Sequence, residues 1–467
     1  MKLQGTMQIN GQGRLVIGGC DAVELAGEFG TPLYVLDEDH FRRNCREYCR
    51  AFINRYDAVV IYASKTLFNL AVGQIVNEEG LGLDIVSGGE LYTAAKVGFP
   101  MERVYFHGNN KSPGELEMAL KLKVGRFMVD NLKELELLNQ LAGQINTRAG
   151  VIIRVSPGVE AHTHEYIKTG QIDSKFGLAL QTGQAMEAVK KALEMENIEL
   201  VGLHCHIGSQ IFEMASYSHA AEVMLNFAAG VRDHTGWTLS ELDLGGGLGI
   251  YYFQGDNPPS IKEYADSLMA AVKRQAMEKN LPEPRVIVEP GRSISGPAGA
   301  TLYTVGTIKD IPGVRKYVSV DGGMVDNPRP ALYQSKYEAL LANKADQPGE
   351  EVVSIAGKCC ESGDMLIWDI KLPAVEFGDI LAVSCTGAYN YTMSSNYNRL
   401  PRPAMVLVKD GQADIIVQRE TYADLLRNDV VPERLKAAQK ASDVRRRTSE
   451  SFNGKYSVNQ VKSRHYR

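Results

Sequence analysis

The stretch 58-AVVIYASKT-66 has the composition of a buried β-strand that ends at a lysine. Val59, Val60 and Ile61 are β-branched and apolar, and such runs favour strands. A helix-like segment, TLFNLAVGQIVNEEG, follows at once. A strand followed by a helix is the repeating unit of a parallel sheet. The rest of the chain decides how many such units there are, and whether Lys65 is an ordinary surface lysine.

The alternation of strand and helix continues as far as residue 292. Seven further strand-like segments follow, which are LGLDIV (81–86), RVYFHG (103–108), RFMVD (126–130), VIIRVSP (151–157), LVGLHCHIG (200–208), ELDLGGG (241–247) and PRVIVEPGR (284–292). Helix-like stretches separate them. Eight strands with intervening helices predict an α/β fold, an eight-stranded β/α (TIM-like) barrel, which we assign to residues 40–293.

Beyond residue 293 the sequence changes to short β-rich runs separated by Gly, Pro and Asp, with little helical periodicity. Residues 294–467 are therefore predicted to form a mostly β domain that ends in a basic, polar tail. The strand-like residues 1–39, which contain RLVIGG and PLYVL, are expected to pair with its sheet. A chain of 467 residues is long enough for a barrel and a second domain.

The composition restricts the partners and the compartment. A net charge of -5, with both signs interspersed, indicates neither nucleic acid nor a membrane surface as partner, so we expect a small-molecule substrate. No apolar run approaches the roughly 20 residues that cross a bilayer, and the N-terminus lacks a signal-peptide pattern, which predicts a cytoplasmic protein. Seven cysteines without a regular framework fit reduced thiols. The histidine pairs in HTHEY and HCHIG lack the helical spacing of a zinc site, so no metal is expected.

Reactive and polar residues are found at the ends of the predicted strands. In a β/α barrel the active site lies at the C-terminal ends of the strands. These ends hold Lys65, Asp84 with Ser87, His107 with Asn109, Asp130, Arg154, His206 with Ser209, Gly245 to Gly247, and Glu289 with Arg292. Eight ends with reactive, polar or small residues on one face predict a single convergent pocket.

The loops after the last two strands have the composition of a phosphate site. Strand seven ends in Gly245, Gly246 and Gly247, whose backbone N–H groups can approach an anion closely. Strand eight ends in EPGRS, where Arg292, next to Gly291, can add charge-assisted hydrogen bonds. Barrels of this type often bind phosphate with these two loops.

A phosphate site, a strand-end lysine and an acid together predict pyridoxal 5'-phosphate as the cofactor. Its aldehyde needs a lysine for a Schiff base, which Lys65 supplies, and its pyridine nitrogen needs an acidic partner, which Glu289 supplies. His206, at a neighbouring strand end, is placed to stack on the pyridine ring. Asp84 and Ser209 complete the predicted cofactor site.

Several motifs in this sequence resemble one known family. They are YASKT, HGNNKSPGEL, GLHCHIGSQIF, LDLGGGLGIYY, EPGRS, VDGGMVDNPRPALY, CESGD and GAYNYTMSSNYNRLPRP. In this order, over about residues 30 to 410, they closely resemble the bacterial diaminopimelate decarboxylases, within the alanine-racemase-like (fold-type III) class of pyridoxal phosphate enzymes. The resemblance implies decarboxylation of meso-2,6-diaminopimelate to L-lysine and carbon dioxide, the last step of lysine biosynthesis.

The resemblance also implies residue roles and an assembly. Arg292, Arg329, Tyr333 and Glu361 would bind substrate, Tyr389 would contact both substrate and the cofactor phosphate, and Cys360 would be the proton donor. The family is homodimeric, with active sites that residues of the partner subunit complete, and Tyr389 and Cys360 are expected to reach the site across the interface.

Two sets of alternatives stay open at this stage. The family usually has Gly-Pro-x-Cys before Glu-Ser, whereas GKCCES has Lys358 in place of proline and Cys359 beside Cys360, so either thiol could be the donor. The substrate could instead be ornithine, arginine or carboxynorspermidine. A non-catalytic regulatory relative is the third possibility, although the intact Lys65 and Glu289 argue against it.

Overall fold

A computed structural model of the chain describes residues 1–159 and 174–436. The predicted basic tail and the HTHEY histidines, His162 and His164, lie outside the described residues. The described residues up to 419 form one compact unit, and residues 420–436 belong to a second. No helix in the described part of the chain is both long enough and apolar enough to span a membrane.

The N-terminal residues form two separate β elements. Strands β1 (Gln8–Ile9), β2 (Leu15–Ile17) and β3 (Cys20–Asp21) make a small antiparallel sheet, which is followed by α1 (Ala22–Phe29) and by β4 (Leu33–Asp37). The Asp21 carboxylate accepts hydrogen bonds from the first N–H groups of α1, which fixes the start of that helix.

The next residues alternate between strands and helices. The strands are β5 (Val59–Ala63), β6 (Gly82–Ile85), β7 (Val104–Phe106), β8 (Arg126–Val129), β9 (Ala149–Ser156), β10 (Leu178–Ala179), β11 (Ile198–His204), β12 (Glu241–Asp243) and β13 (Arg285–Val288). The helices are α2 (Glu38–Tyr48), α3 (Asn54–Tyr56), α4 (Leu70–Glu78), α5 (Gly88–Val97), α6 (Pro113–Leu122), α7 (Leu132–Gln144), α8 (Gln184–Glu194), α9 (Met214–Thr235), α10 (Ile261–Glu278) and α11 (Arg292–Ser295). Serine caps with a glutamate three residues on begin α6 and α10.

Eight of these strands close into a parallel barrel. The hydrogen-bonded order is β5, β6, β7, β8, β9, β11, β12 and β13, and β13 pairs with β5 again. The short β10 adds to β9 outside the ring. Strand alternation separates two cores: Ile61 of β5 packs inside the barrel with Tyr105 and Ile287, while Val60 and Tyr62 pack outward under the helices.

The remaining strands form a mostly β region. They are β14 (Gly299–Ile311), β15 (Arg315–Val320), β16 (Ala339–Leu341), β17 (Glu351–Ala356), β18 (Met365–Leu372), β19 (Ile380–Ser384), β20 (Ala404–Lys409) and β21 (Gln412–Val417), with α12 (Arg329–Tyr333) between β15 and β16. The second unit contains α13 (Tyr422–Leu426) and α14 (Glu433–Lys436).

The predicted fold class is confirmed, with one difference at the N-terminus. Strand β4 lies between β14 and β20 in the large sheet, so the stretch PLYVL does join the C-terminal β region. Strands β1 to β3, in contrast, pair only with one another. The domain boundaries at residues 39 and 293 stay a prediction.

Candidate active site

A cavity of about 680 Å³ lies where the barrel loops meet residues of the β region. Eight residues of the predicted site line it: Lys65, His206, Ser209, Glu289, Arg292, Arg329, Tyr333 and Tyr389. The barrel brings the first five together because its parallel strands all end on this face. Arg329 and Tyr333 come from α12, and Tyr389 comes from the loop after β19.

Tyr389 reaches this cavity within its own chain, which differs from the expectation that it crosses a subunit interface. Its backbone N–H donates to the carbonyl of Thr66 at 2.8 Å, directly beside Lys65. The Arg292 guanidinium lies 4.9 Å from the Tyr389 ring centroid. The segment after β19 is therefore attached to the first barrel loop, and this attachment carries Tyr389 to the site.

The other predicted residues do not line the cavity. Asp84 is buried beneath Lys65, and Gly245, Gly246, Gly247 and Gly291 form the backbone behind the lining. Cys360 and Glu361 are exposed on the loop between β17 and β18. This loop is fixed by two backbone N–H donors, that of Cys359 to Asp364 at 2.8 Å and that of Cys360 to Asn398 at 2.7 Å.

Lys65 lies in a turn of 3₁₀ helix directly after β5, with its side chain 41% exposed toward the cavity. Its Nζ is 3.9 Å from Oδ2 of Asp84. Burial opposes the charged amine, but Asp84, Tyr389 and Glu289 outweigh it and raise the pKa of Lys65. Burial raises the pKa of Asp84 to about 8, although Lys65 opposes this. The lysine is therefore a cation held over a buried carboxyl group.

Glu289 is held between two histidines that the sequence reasoning left without a role. Nε2 of His107 and Nε2 of His204 each lie 3.2 Å from Oε1 of Glu289. Burial lowers the pKa of both histidines, although Glu289 opposes the shift. Burial opposes ionisation of Glu289, but the two histidines hold the pKa of this carboxyl well below its usual value. Glu289 is thus an anion at the floor of the cavity.

His107, His204 and Glu289 are also the described residues whose ligand atoms lie close enough together to hold a metal ion. The same carboxylate lines the cavity beside Lys65, where an organic cofactor would need it. Side chains alternate along a strand, so His204 and His206 of the HCH stretch lie on the same side of the strand end. This alternation predicts His204 as a further site residue.

The glycine loop after β12 packs against the floor of the site. A Cβ atom added to Gly246 would lie 2.1 Å from the carbonyl oxygen of Glu289. Gly245 has a φ of 70°, a left-handed conformation that favours glycine. The N–H of Gly246 donates to Nδ1 of His206 at 3.3 Å, and burial lowers the pKa of His206 to about 3. The loop therefore fixes a neutral imidazole ring at the cavity wall.

Arg292 and Arg329 are both buried, and neither forms an ion pair with a carboxylate in the described part of the chain. Arg292 donates to Ser209 Oγ from Nε at 3.2 Å and from Nη2 at 2.9 Å. Its Nη1 donates to the hydroxyl of Tyr252 at 2.8 Å. Arg329 donates to the hydroxyl of Tyr337 at 2.6 Å. Buried charges are normally paired, so this arrangement calls for anionic ligands.

Tyr252 was not among the predicted site residues, although it also lines the cavity. It follows the glycine loop in the motif LDLGGGLGIYY, so its position in sequence next to a predicted phosphate loop was an available signal. Tyr337 had no such signal, because it lies outside the recognised motifs and reaches Arg329 only through the fold.

A barrel whose strand ends present a lysine amine, a buried glutamate and a serine–arginine pair beside a glycine loop defines the class of barrel enzymes that bind pyridoxal phosphate. A family model described as "Pyridoxal-dependent decarboxylase, pyridoxal binding domain" matches residues 38–296. This agreement supports the barrel as the cofactor-binding part of the chain.

Comparison with known proteins identifies the family within this class of enzymes. The chain is 52% identical over 431 residues to the diaminopimelate decarboxylase of Bacillus subtilis, covering 92% of this chain and 98% of that protein. It is 48% identical over 442 residues to that of Synechocystis, covering 92% and 93% of the two proteins. The crystal structure of the M. jannaschii diaminopimelate decarboxylase with L-lysine has a TM-score of 0.87 and 39% identity, covering 92% and 99% of the two chains. The chain belongs to the diaminopimelate decarboxylase family.

Proposed function

We propose that the protein decarboxylates meso-2,6-diaminopimelate to L-lysine and carbon dioxide with pyridoxal 5'-phosphate, the last step of lysine biosynthesis. One observation carries the proposal: a lysine amine and two buried guanidiniums, which have no carboxylate partner in the described part of the chain, line the same cavity. Diaminopimelate has an amine and a carboxylate at each end. A guanidinium matches a carboxylate in charge and in fork geometry, so the arginines suit the carboxylate at the end that is not bonded to the cofactor.

The residues present fit the cofactor. Lys65 offers an amine to the cavity, Glu289 is an anion at its floor, and His206 presents a neutral ring at its wall. When bound, pyridoxal 5'-phosphate supplies an aldehyde that takes the substrate amine and a ring that accepts the electrons left when carbon dioxide departs. Lys65 would hold its aldehyde carbon, and Glu289 would keep its ring nitrogen protonated.

The phosphate end of the cofactor would lie at the glycine loop, beside Ser209 and Arg292. Arg292 and Ser209 are joined by two hydrogen bonds at the cavity wall, and Tyr389 packs against the same guanidinium. The backbone of these loops could approach the phosphate closely, because glycines without a Cβ atom occupy positions 245, 246, 247 and 291. Asp84 would act on the Lys65 amine and not on the phosphate, because its contact is with that amine.

The substrate would be bound mainly from the β region. Arg329 and Tyr333 line the cavity and would take the end of the substrate that is distant from the cofactor, with Glu361 accepting from its ammonium. Cys360 Sγ would hold the proton that is delivered to the carbon from which carbon dioxide leaves. Burial raises the pKa of the Cys359 thiol to about 12, and Asp364 adds to this effect.

The positions of Cys360 and Glu361 support a homodimer with shared sites. Both residues are exposed and neither lines the cavity of its own chain, although the reaction assigns each of them a place at the substrate. A second copy of the chain could supply them, because a two-fold interface repeats every contact. The partners proposed are therefore an amino-acid substrate and a second copy of the chain.

We further propose that the protein works in the cytoplasm. All seven cysteines are free, which suits a reducing compartment. The net charge of -5 gives no reason to add nucleic acid or a membrane to the partners.

Release of carbon dioxide from meso-diaminopimelate by the purified protein with pyridoxal phosphate tests the function. Ornithine, arginine and carboxynorspermidine should react far more slowly, because each lacks the second amino-acid end that Arg329 and Glu361 would bind. Equal turnover of ornithine would transfer the assignment to that substrate. No carbon dioxide from any of the four, with the cofactor bound at Lys65, would indicate a non-catalytic relative.

A further inference from the structure

Two tyrosines hold the buried arginines of the cavity through their hydroxyl groups. Nη1 of Arg292 donates to the hydroxyl of Tyr252 at 2.8 Å. Nη1 of Arg329 donates to the hydroxyl of Tyr337 at 2.6 Å. Tyr252 and Tyr337 are both 4% exposed. Each guanidinium is therefore tied to a side chain that has almost no freedom to move away.

Tyr252 also touches the second arginine. The Arg329 guanidinium lies 4.6 Å from the centroid of the Tyr252 ring, a distance typical of a cation–π contact. The rings of Tyr252 and Tyr337 meet edge to face, with centroids 5.3 Å apart and an interplanar angle of 82°. The two tyrosines and the two arginines thus form one packed group.

This group joins different parts of the fold. Tyr252 lies in the loop after β12 and Arg292 directly follows β13, whereas Arg329 begins α12 and Tyr337 precedes β16. Both tyrosine rings belong to the core of the β region, with Tyr303 and Val305 among their neighbours. Because Tyr252 contacts one cation with its hydroxyl and the other with its ring face, its position sets the separation between the two guanidiniums.

The choice of tyrosine leaves the charge of the arginines available. A phenol accepts a hydrogen bond without cancelling the positive charge, whereas a carboxylate in its place would neutralise the guanidinium. Burial raises the pKa of Tyr337 even though Arg329 lowers it, so this hydroxyl is neutral at physiological pH. The two cations are thus held in place without a carboxylate partner among the described residues.

We propose that Tyr252 and Tyr337 are positioning residues that fix the separation and direction of the two guanidiniums and thereby favour a substrate with a carboxylate at the end distant from the cofactor. The inference rests on the proposed function, since it concerns how that substrate is recognised. Neither tyrosine needs to touch the reacting atoms.

Tyr252→Phe and Tyr337→Phe test the inference, because phenylalanine keeps the ring and its packing and removes only the hydroxyl. Each change should raise KM for meso-diaminopimelate roughly tenfold, the scale of a lost hydrogen bond to a charged group, and should leave kcat within about twofold. The matched control is Tyr264→Phe, because the Tyr264 hydroxyl is buried without a hydrogen-bond partner in the described chain. Its KM should equal that of the wild type.

Two inhibitors separate positioning from a general change of the pocket. L-Lysine has one carboxylate, and 1,5-diaminopentane has the same carbon chain with none. Tyr337→Phe should weaken inhibition by L-lysine about tenfold and leave inhibition by 1,5-diaminopentane unchanged. An equal loss for both inhibitors would overturn the inference, because the hydroxyl would then serve the shape of the cavity and not the direction of a cation.

A double-mutant cycle tests whether Tyr337 acts through Arg329. In an Arg329→Gln background, the Tyr337→Phe change should have no further effect on KM. A full additional loss there, or wild-type KM values in both single variants, would overturn the inference. The wild type keeps this result separate from the proposed function, because absence of diaminopimelate turnover in the unmodified protein would contradict the function itself.

Discussion

The side chains of Arg292 and Arg329 are charges that the described chain buries without neutralising. Removing an ionised group from water costs several kcal/mol unless a partner compensates, on the order of the cost of breaking a buried ion pair. Their partners here are hydroxyl groups and aromatic rings. Glu289 shows the opposite arrangement, an anion with the Nε2 atoms of two histidines each 3.2 Å from its Oε1. The cavity therefore offers positive charge to carboxylates and phosphate at one end and negative charge to a ring nitrogen at the other.

The first prediction concerns Lys65, the proposed attachment point of the cofactor. Lys65→Ala should abolish turnover and binding of the cofactor aldehyde while leaving the protein folded, because the side chain faces the cavity and contributes little to the core. Borohydride reduction of the wild type with pyridoxal phosphate, followed by peptide mapping, should label Lys65. Lys336→Ala is the control, since Lys336 is a second lysine of the lining and should not be needed. A label on another lysine would contradict the assignment.

The second residue-scale prediction concerns Glu361. Glu361→Gln should lower kcat/KM for meso-diaminopimelate roughly tenfold or more, because the distal ammonium loses a charged hydrogen-bond acceptor. The absorbance of the bound cofactor should not change, since Glu361 would contact the distal end of the substrate and not the cofactor. Glu350→Gln, which alters another exposed carboxylate in the same region, is the control. Full catalytic efficiency in Glu361→Gln would remove Glu361 from the substrate site.

The barrel could be predicted because most of its strands lie in short apolar runs that alternate with helical segments, and several of these runs have a polar residue at or just after their C-terminal end. Lys65, His107 and Glu289 were found at strand ends for this reason. Arg154, in contrast, lies within β9, which continues to Ser156. Tyr337 could not be predicted as a site residue, because its contact with Arg329 depends on how the segment after α12 folds back. Strands β1 to β3 form a sheet of their own among the described residues, because a short apolar run does not by itself specify the strand with which it pairs.

The element-scale prediction concerns His40, which lies in α2 under the N-terminal residues. Burial lowers the pKa of His40 to about 4, with Asp37 opposing and Arg43 assisting the shift. The unfolded chain binds a proton near pH 6.5 and the folded chain does not, so the contribution of His40 to stability is present above pH 6.5. As the pH falls to about 4, the free energy of unfolding should decrease by about 3 kcal/mol because this contribution is lost.

Urea unfolding of the wild type and of His40→Gln at pH 7.5 and pH 4.5 tests this prediction. The free energy of unfolding of the wild type, relative to that of His40→Gln, should be lower at pH 4.5 than at pH 7.5. His219→Gln is the control, because the His219 side chain is 59% exposed and has no burial to lose. A difference between wild type and His40→Gln that is constant over this pH range would contradict the assigned shift.

At the scale of the whole molecule, the barrel and the β region form a single functional unit. Strand β4 comes before the barrel in sequence, yet it lies between β14 and β20. Tyr389 comes from the β region and is hydrogen-bonded to the first barrel loop. The chain thus completes most of the cavity by itself. Cys360 and Glu361 are the predicted substrate residues that it leaves outside.

The last prediction follows from this incomplete site. If the Cys360 of one subunit serves the Lys65 of another, then Lys65→Ala and Cys360→Ala homodimers are both inactive, but a mixed dimer has one site with both residues intact. Random exchange gives half mixed dimers with one active site in two, so activity should recover to about one quarter of the wild type. Size-exclusion chromatography with differently tagged chains would verify the exchange. Cys359→Ala is the matched control and should be active alone. If verified mixed dimers showed no activity, each chain would have to complete its own site, and the exposed loop between β17 and β18 would have to close onto the cavity of the same subunit.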